Sequence, residues 1–188
     1  MGKLNGYNTD VNGVFESLAP FKDEIAGSQV SVIGSGGSAR AVLYTLIRLI
    51  KPKKIYLINR TEQRADHLKN YFRDKMKYTG IRTSEFYPPA MVDILNSSKL
   101  IVNATPVGMT PKSDDTITTI GESFTKGQIV FDLVYNPSQT NFLKLAEYIK
   151  TLEPVRDIMI HKTGYDFFDK HKLLFLELSE IEQIRDRL

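Results

Sequence analysis

Apolar positions along this chain alternate between two rhythms. Short β-branched runs recur at 29–33, 55–58, 100–103 and 129–132. Continuous runs of this length suit strands buried on both faces of a parallel sheet. Between them the spacing turns helical. Ala39, Val42, Leu43, Leu46, Ile47 and Ile50 share one face, and Pro52 closes that helix. Further helices are predicted at 11–18, 62–72, 91–95 and 141–150. A less regular strand is expected over 80–86, and a last short one at 153–156. From 164 to 187 the pattern is helical again, with Phe167, Phe168, Leu174, Leu178, Ile181 and Ile184 at its apolar positions. Strands alternating with helices predict an α/β chain whose mainly parallel sheet is doubly wound, with helices on both faces.

Length and composition narrow the picture without redirecting it. A chain of 188 residues, 41% hydrophobic and 25% charged, fits one ordinary domain over 1–188. The net charge of +3 is spread along the chain and gives no reason to expect nucleic acid. With no cysteine, thiolate chemistry and cysteine-bound metals are excluded. His67, His161 and His171 stand far apart, without ligand spacing, so no metal is expected. No apolar run reaches the ~18 residues of a membrane span, and the N-terminal stretch has no apolar h-region. The expectation is a cytoplasmic chain with no membrane or nucleic-acid partner.

Chemistry enters at the first strand–helix junction. Gly34-Ser35-Gly36-Gly37-Ser38-Ala39 fits G-x-G-x-x-A. Gly34 permits the tight turn, Gly36 lets a pyrophosphate approach the backbone, and Ala39 allows close helix–strand packing. The helix N-terminus offers unpaired N–H groups and the positive end of its dipole. A tight turn that binds nothing could look the same, but its place between a strand and a helix favours a Rossmann-like dinucleotide site. The end of the second strand then bears on the cofactor. An NAD site usually puts Asp or Glu there. Here the stretch reads Asn59-Arg60-Thr61-Glu62-Gln63-Arg64. A carboxylate would repel a 2′-phosphate, whereas guanidinium groups can hold one bidentately. This points to NADP, against the plainer reading of a helix start capped by Thr61 with incidental arginines.

Three polar turns complete the inventory. Asn8-Thr9-Asp10 precede the 11–18 helix, and Thr9 or Asp10 would cap it. Asn103-Ala104-Thr105-Pro106 and Asp132 to Pro137 each leave a strand at its carboxyl end. Either could be a plain Asx or Ser/Thr turn stiffened by proline. Lying at the edge of the glycine turn, they favour a shared cleft.

Five stretches in order carry a family resemblance: KLNGYNTD (3–10), GSGGSARA (34–41), NRTEQRA (59–65), NATPVGM (103–109) and DLVYNPSQTNFL (132–143). Together they resemble the NADP-binding domain of shikimate dehydrogenases. The resemblance implies reversible NADP-dependent reduction of 3-dehydroshikimate to shikimate, in the chorismate pathway to aromatic amino acids. It implies that Gly34, Ser35, Gly36, Gly37, Ser38, Asn59, Arg60, Thr61 and Arg64 bind NADP, and that Thr105 and Leu133 line its nicotinamide side. Tyr135 would touch substrate. Asp10 would be half of a catalytic pair, with Asn8 and Thr9 forming the site around it. The other half, a lysine, belongs to a substrate domain that precedes these motifs in the family and has no counterpart in this sequence. The expectation is therefore a chain that binds NADP(H) but needs that domain, in cis or in trans, to act. The helices at 11–18 and 164–187 would pack toward it, and a bared interface could pair two copies as a homodimer.

The sequence departs from the family pattern at PVRDIMIHKTG. Val155 and Asp157 stand where glycines are expected, and Lys162, or Thr163 if the alignment slips by one, falls at the position of a substrate-binding glutamine. The plainer reading of Lys162 is a solvated lysine at a helix start. These changes leave shikimate open against a quinate-type or otherwise altered substrate. A nucleotide-binding or interaction module without redox activity is the reading from a different class.

Overall fold

The computed structural model describes residues 9–125, 127–152 and 159–162, with the backbone alone at 150–152 and 159–162. Helix α1 (Thr9–Leu18) leads through the short α2 (Lys22–Ile25) into β1 (Gln29–Ile33). Then follow α3 (Gly37–Thr45), β2 (Lys54–Asn59), α4 (Glu62–Met76), β3 (Ile81–Glu85) and α5 (Pro88–Asn96). The second half adds β4 (Leu100–Asn103), β5 (Ile129–Asp132), α6 (Asn141–Leu152) and β6 (Met159–Lys162). The strands form one six-stranded sheet in the order β3-β2-β1-β4-β5-β6. Every strand pair is parallel. This is the doubly wound order, with its reversal between β1 and β4.

Side-chain alternation splits the core into two layers. Val30, Val32, Leu57, Val102 and Phe131 face α1, α3 and α4. Ile33, Ile58, Ile101 and Val130 face α5 and α6. Helix α1 buries Val14 and Leu18 in the first layer, and its Val11 carbonyl accepts a hydrogen bond from Thr45 Oγ1 at 3.2 Å. The strand register also lines up the carboxyl edge. Ile58, Ile33, Asn103, Asp132 and Lys162 stand in one row across five strands. That row is where ligands sit in such sheets.

Several element ends differ from the sequence expectation for local reasons. The helix expected through Ile50 keeps regular geometry only to Thr45. Its last turn widens, with Lys51 N–H reaching the Leu46 carbonyl at 2.6 Å, and Lys51 turns left-handed before Pro52. Helix α4 runs past Phe72 to Met76, because Met76 still packs on the core. Helix α5 starts at Pro88, a residue preorganised for a first turn. Helix α1 starts at Thr9, so Thr9 and Asp10 lie inside its first turn rather than at its cap. Lys162 ends strand β6 and does not start a helix. The strand expected at 153–156, the helix at 164–187, and Val155, Asp157, Thr163 and Asn8 lie outside the described residues.

One buried amide ties the end of α5 to the segment before β5. Gln128 donates to the carbonyls of Leu95, Asn96 and Ser98 at 2.7, 2.9 and 2.9 Å, and accepts from Thr125 N–H at 2.7 Å. It is fully enclosed. Gln128→Leu would take this donor from the Asn96 and Ser98 carbonyls and the acceptor from Thr125 N–H, while Leu95 keeps Ser98 N–H at 3.0 Å. A loss of about 2–4 kcal/mol in urea-unfolding free energy is expected.

Candidate functional site

The site is a cleft of roughly 420 Å³ at the carboxyl ends of β1, β2 and β4. Gly34 sits at its base, with φ +108° and its N–H bonded to the Ile58 carbonyl at 2.8 Å. A Cβ on Gly34 would lie 2.7 Å from the Ala104 carbonyl oxygen and 2.9 Å from Thr105 Cγ2. Only glycine fits between β1 and the turn after β4. Gly36 is different: a Cβ there would meet nothing within 4 Å. Gly36 is the N-cap residue of α3, and its carbonyl accepts from Arg40 N–H at 3.1 Å. The first N–H groups of α3 therefore have no intrahelical acceptor and present a positive pole at the cleft mouth. Ala39, fully buried, lets α3 pack closely on the sheet.

The far wall carries the positive charge. Arg60 and Arg64 both line the cleft and both are exposed. Neither guanidinium takes part in an ion pair among the described residues. Arg40, one step past the glycine turn, is held 4.8 Å over the Tyr71 ring and does not line the cleft. Asn59 fixes the wall by donating from Nδ2 to the Thr61 carbonyl at 2.8 Å. Thr61 occupies the N-cap of α4, but its hydroxyl makes no capping bond. Phe86, just after β3, closes this end of the cleft.

The turns after β4 and β5 are locked by buried polar side chains. Asn103 Oδ1 accepts from both the N–H and the hydroxyl of Thr105, at 3.0 and 2.7 Å. Thr105 Oγ1 in turn accepts from Val107 N–H at 3.1 Å. The Thr105 hydroxyl is thus used inside the turn, and its methyl is the group next to Gly34. Asp132 is fully buried. Its Oδ1 accepts from Asn103 Nδ2 and Val134 N–H, both at 2.9 Å, and its Oδ2 accepts from the Thr140 hydroxyl at 2.7 Å. Burial pushes the Asp132 carboxyl above its ordinary range, and the bonds from Thr140, Val134 and Asn103 oppose that.

The cleft gathers Gly34, Ser35, Gly36, Asn59, Arg60, Arg64 and Thr105 from the residues marked in the sequence. Gly37 and Ser38 stand exposed on the first turn of α3, and Thr61 stands exposed at the N-cap of α4. Leu133 packs against the core, and Tyr135 is exposed beyond β5. Thr9 and Asp10 are exposed on α1 and do not line the cleft. The sequence reading missed Phe86 as a wall and Asp132 and Thr140 as a buried pair. The signal for Phe86 was its place just past a parallel strand, at the ligand edge.

Similarity to known proteins follows the same outline. The shikimate dehydrogenase (NADP(+)) of Pelodictyon phaeoclathratiforme is 36% identical over 147 residues, covering 78% of this chain and 50% of that protein. The chain belongs to the shikimate dehydrogenase family. It spans about half the length of the curated relatives it matches. Among solved structures, a shikimate dehydrogenase in complex with NADP+ superposes with a TM-score of 0.67 at 29% identity, over 82% of this chain and 50% of that one. A quinate dehydrogenase from Corynebacterium glutamicum in complex with NAD gives 0.68 at 25% identity, over 84% and 51%. No family model matches the sequence. Within the shikimate dehydrogenase family, the half represented here is the doubly wound dinucleotide-binding domain. No helix among its described residues is long and apolar enough to cross a membrane.

Proposed function

We propose that this chain is the NADP(H)-binding domain of a shikimate dehydrogenase, acting in the cytoplasm on 3-dehydroshikimate and shikimate. The observation that carries the cofactor choice is the pair Arg60 and Arg64, which line the cleft without ion-pair partners among the described residues, where an NAD site would hold a carboxylate. The residues present fit the dinucleotide. Gly36 leaves space for a pyrophosphate, the α3 N-terminus supplies donors, and the two guanidinium groups match a 2′-phosphate. The bound nicotinamide supplies the hydride. The chain's own residues bind, orient and keep dry the ring that carries it.

The remaining roles rest on the family resemblance, and the order of the sheet supports the cofactor's direction across it. The glycine turn fixes the pyrophosphate over β1, and the arginines draw the adenosine end over β2. The nicotinamide end then runs the other way, toward the turns after β4 and β5, with Thr105 and Leu133 beside it. Tyr135, beyond β5, and Lys162, at the end of β6, would serve the substrate. Asp10, with Asn8 and Thr9, serves the proton transfer at the substrate hydroxyl together with a lysine of a substrate domain, provided in cis or in trans. Helix α1 would pack toward that domain, and the same contact face would pair two copies.

Two outcomes test this reading. NADPH fluorescence should change saturably as the chain is added, whereas shikimate and NADP+ should give no turnover with this chain alone. Turnover restored by a substrate domain would support it. Absence of saturable NADPH binding at high micromolar concentration would leave only a fold without this function. Lys162 leaves shikimate open against a quinate-type substrate, and parallel assays with both acids, once a substrate domain is supplied, distinguish them.

A further inference from the structure

We infer that Asp132 is a positioning residue for the nicotinamide half of the cofactor; this rests on the dinucleotide reading above. The carboxylate lies in the last row of the sheet, in register with Asn103 on one side and Lys162 on the other. Through Oδ1 it fixes Asn103, whose own Oδ1 holds the N–H and hydroxyl of Thr105. The same Oδ1 holds Val134 N–H, directly after Leu133. Through Oδ2 it fixes Thr140, whose hydroxyl accepts from Leu143 N–H at 3.3 Å and so ties the start of α6 to the same point.

One buried carboxylate thus sets two turns relative to each other. They are the turns on the β4–β5 side of the switch point, away from the arginines that follow β2. A direct backbone bond backs the link, from Thr110 N–H to the Asn136 carbonyl at 3.0 Å. Gly108, at φ +88°, brings the first turn against Thr140: a Cβ there would lie 3.3 Å from Thr140 Cβ. None of these hydrogen bonds involves the glycine turn or Arg60 and Arg64, and the network reaches the glycine turn only through the Thr105 methyl beside Gly34. Its loss should therefore weaken mainly what the nicotinamide end contributes to binding.

The test compares NADPH with adenosine 2′,5′-bisphosphate, which carries the 2′-phosphate end and lacks the nicotinamide. Asp132→Ala should weaken NADPH about tenfold and leave the bisphosphate within about twofold. Asp132→Asn keeps the shape and one acceptor oxygen, and the Thr140 hydroxyl can turn to accept from its amide. It should restore most of the NADPH affinity. Thr140→Val, which keeps Asp132 and Asn103 in place, should show the same selectivity at about threefold. If Asp132→Ala fails to fold, Thr140→Val carries the test. Equal loss for both ligands, no loss for either, or unfolding of both Asp132→Ala and Thr140→Val would assign the network to fold stability and overturn the inference. Failure of the unaltered chain to bind either ligand would instead overturn the dinucleotide reading, and this inference with it.

Discussion

Gly34→Ala should destabilise the domain, whereas Gly36→Ala should leave its stability nearly unchanged and weaken cofactor binding. The two glycines are two residues apart in one motif, yet they meet opposite surroundings. At Gly34 an added methyl would enter a backbone conformation with φ +108° and press on the Ala104 carbonyl at 2.7 Å. Backbone strain of about 1–3 kcal/mol and overpacking of about 1–3 kcal/mol act together there. The carbonyl is backbone at the end of a central strand, so it cannot swing aside. Melting should fall by roughly 5–15 °C, at about 2–4 °C per kcal/mol for a domain of this size. At Gly36 the same methyl meets no protein atom within 4 Å and points into open space. Its φ of −84° suits any residue. The melting temperature should move by about 2 °C or less, while NADPH affinity falls at least about tenfold as the methyl keeps the pyrophosphate from the backbone. Thermal melts paired with NADPH titration of both variants check this. Equal destabilisation by the two would contradict it.

The second large effect concerns the cofactor's 2′-phosphate. Replacing Arg60 and Arg64 together by Ala should reduce NADPH affinity about 30-fold or more and change NADH affinity about threefold at most. Hydrogen bonds to charged groups contribute about 1.5–3 kcal/mol each, and both side chains are exposed, which places the sum toward the lower end through solvent screening. Because neither arginine is in an ion pair among the described residues, removing them leaves no stranded partner there. Stability should therefore hold, and the loss reads as recognition. The NADPH affinity of the unaltered chain should also fall with rising salt more steeply than its NADH affinity. Equal losses for the two cofactors would show that the arginines do not read the 2′-phosphate.

Much of this arrangement was legible before any coordinates, and the reasons are local. The strands at 29–33, 100–103 and 129–132 stand out because central strands of a parallel sheet are buried on both faces. Their runs are then largely apolar, and the polar Ser31 inside β1 is itself buried. The glycine turn was legible because its physics needs glycine at fixed offsets. What the motif could not reveal was which glycine serves the fold. That depends on the Ala104 carbonyl, about seventy residues away in sequence and adjacent only after β1 pairs with β4. The same limit hid Asp132. In the sequence it is one polar residue at a strand end, indistinguishable from a turn former. Its function as a clamp needs the register that sets it beside Asn103 and the helix that brings Thr140 over it. Strand β3 was hard to read for the opposite reason: as an edge strand it is mostly solvated, so its apolar pattern is thin. Thr105 shows how a place in the cleft can hide an unforeseen contact. It lines the cleft, but its hydroxyl faces inward to Asn103, and its methyl is the group beside Gly34.

The central claim is that this cleft holds a dinucleotide and selects the one bearing a 2′-phosphate. Isothermal titration of the chain with NADPH and with NADH, in one buffer at one salt concentration, tests it most directly. The account predicts a single saturable NADPH site and at least about tenfold weaker NADH binding, the difference of about 1.4 kcal/mol that one good guanidinium–phosphate contact supplies. No saturable binding of either cofactor, or equal affinity for the two, would contradict it.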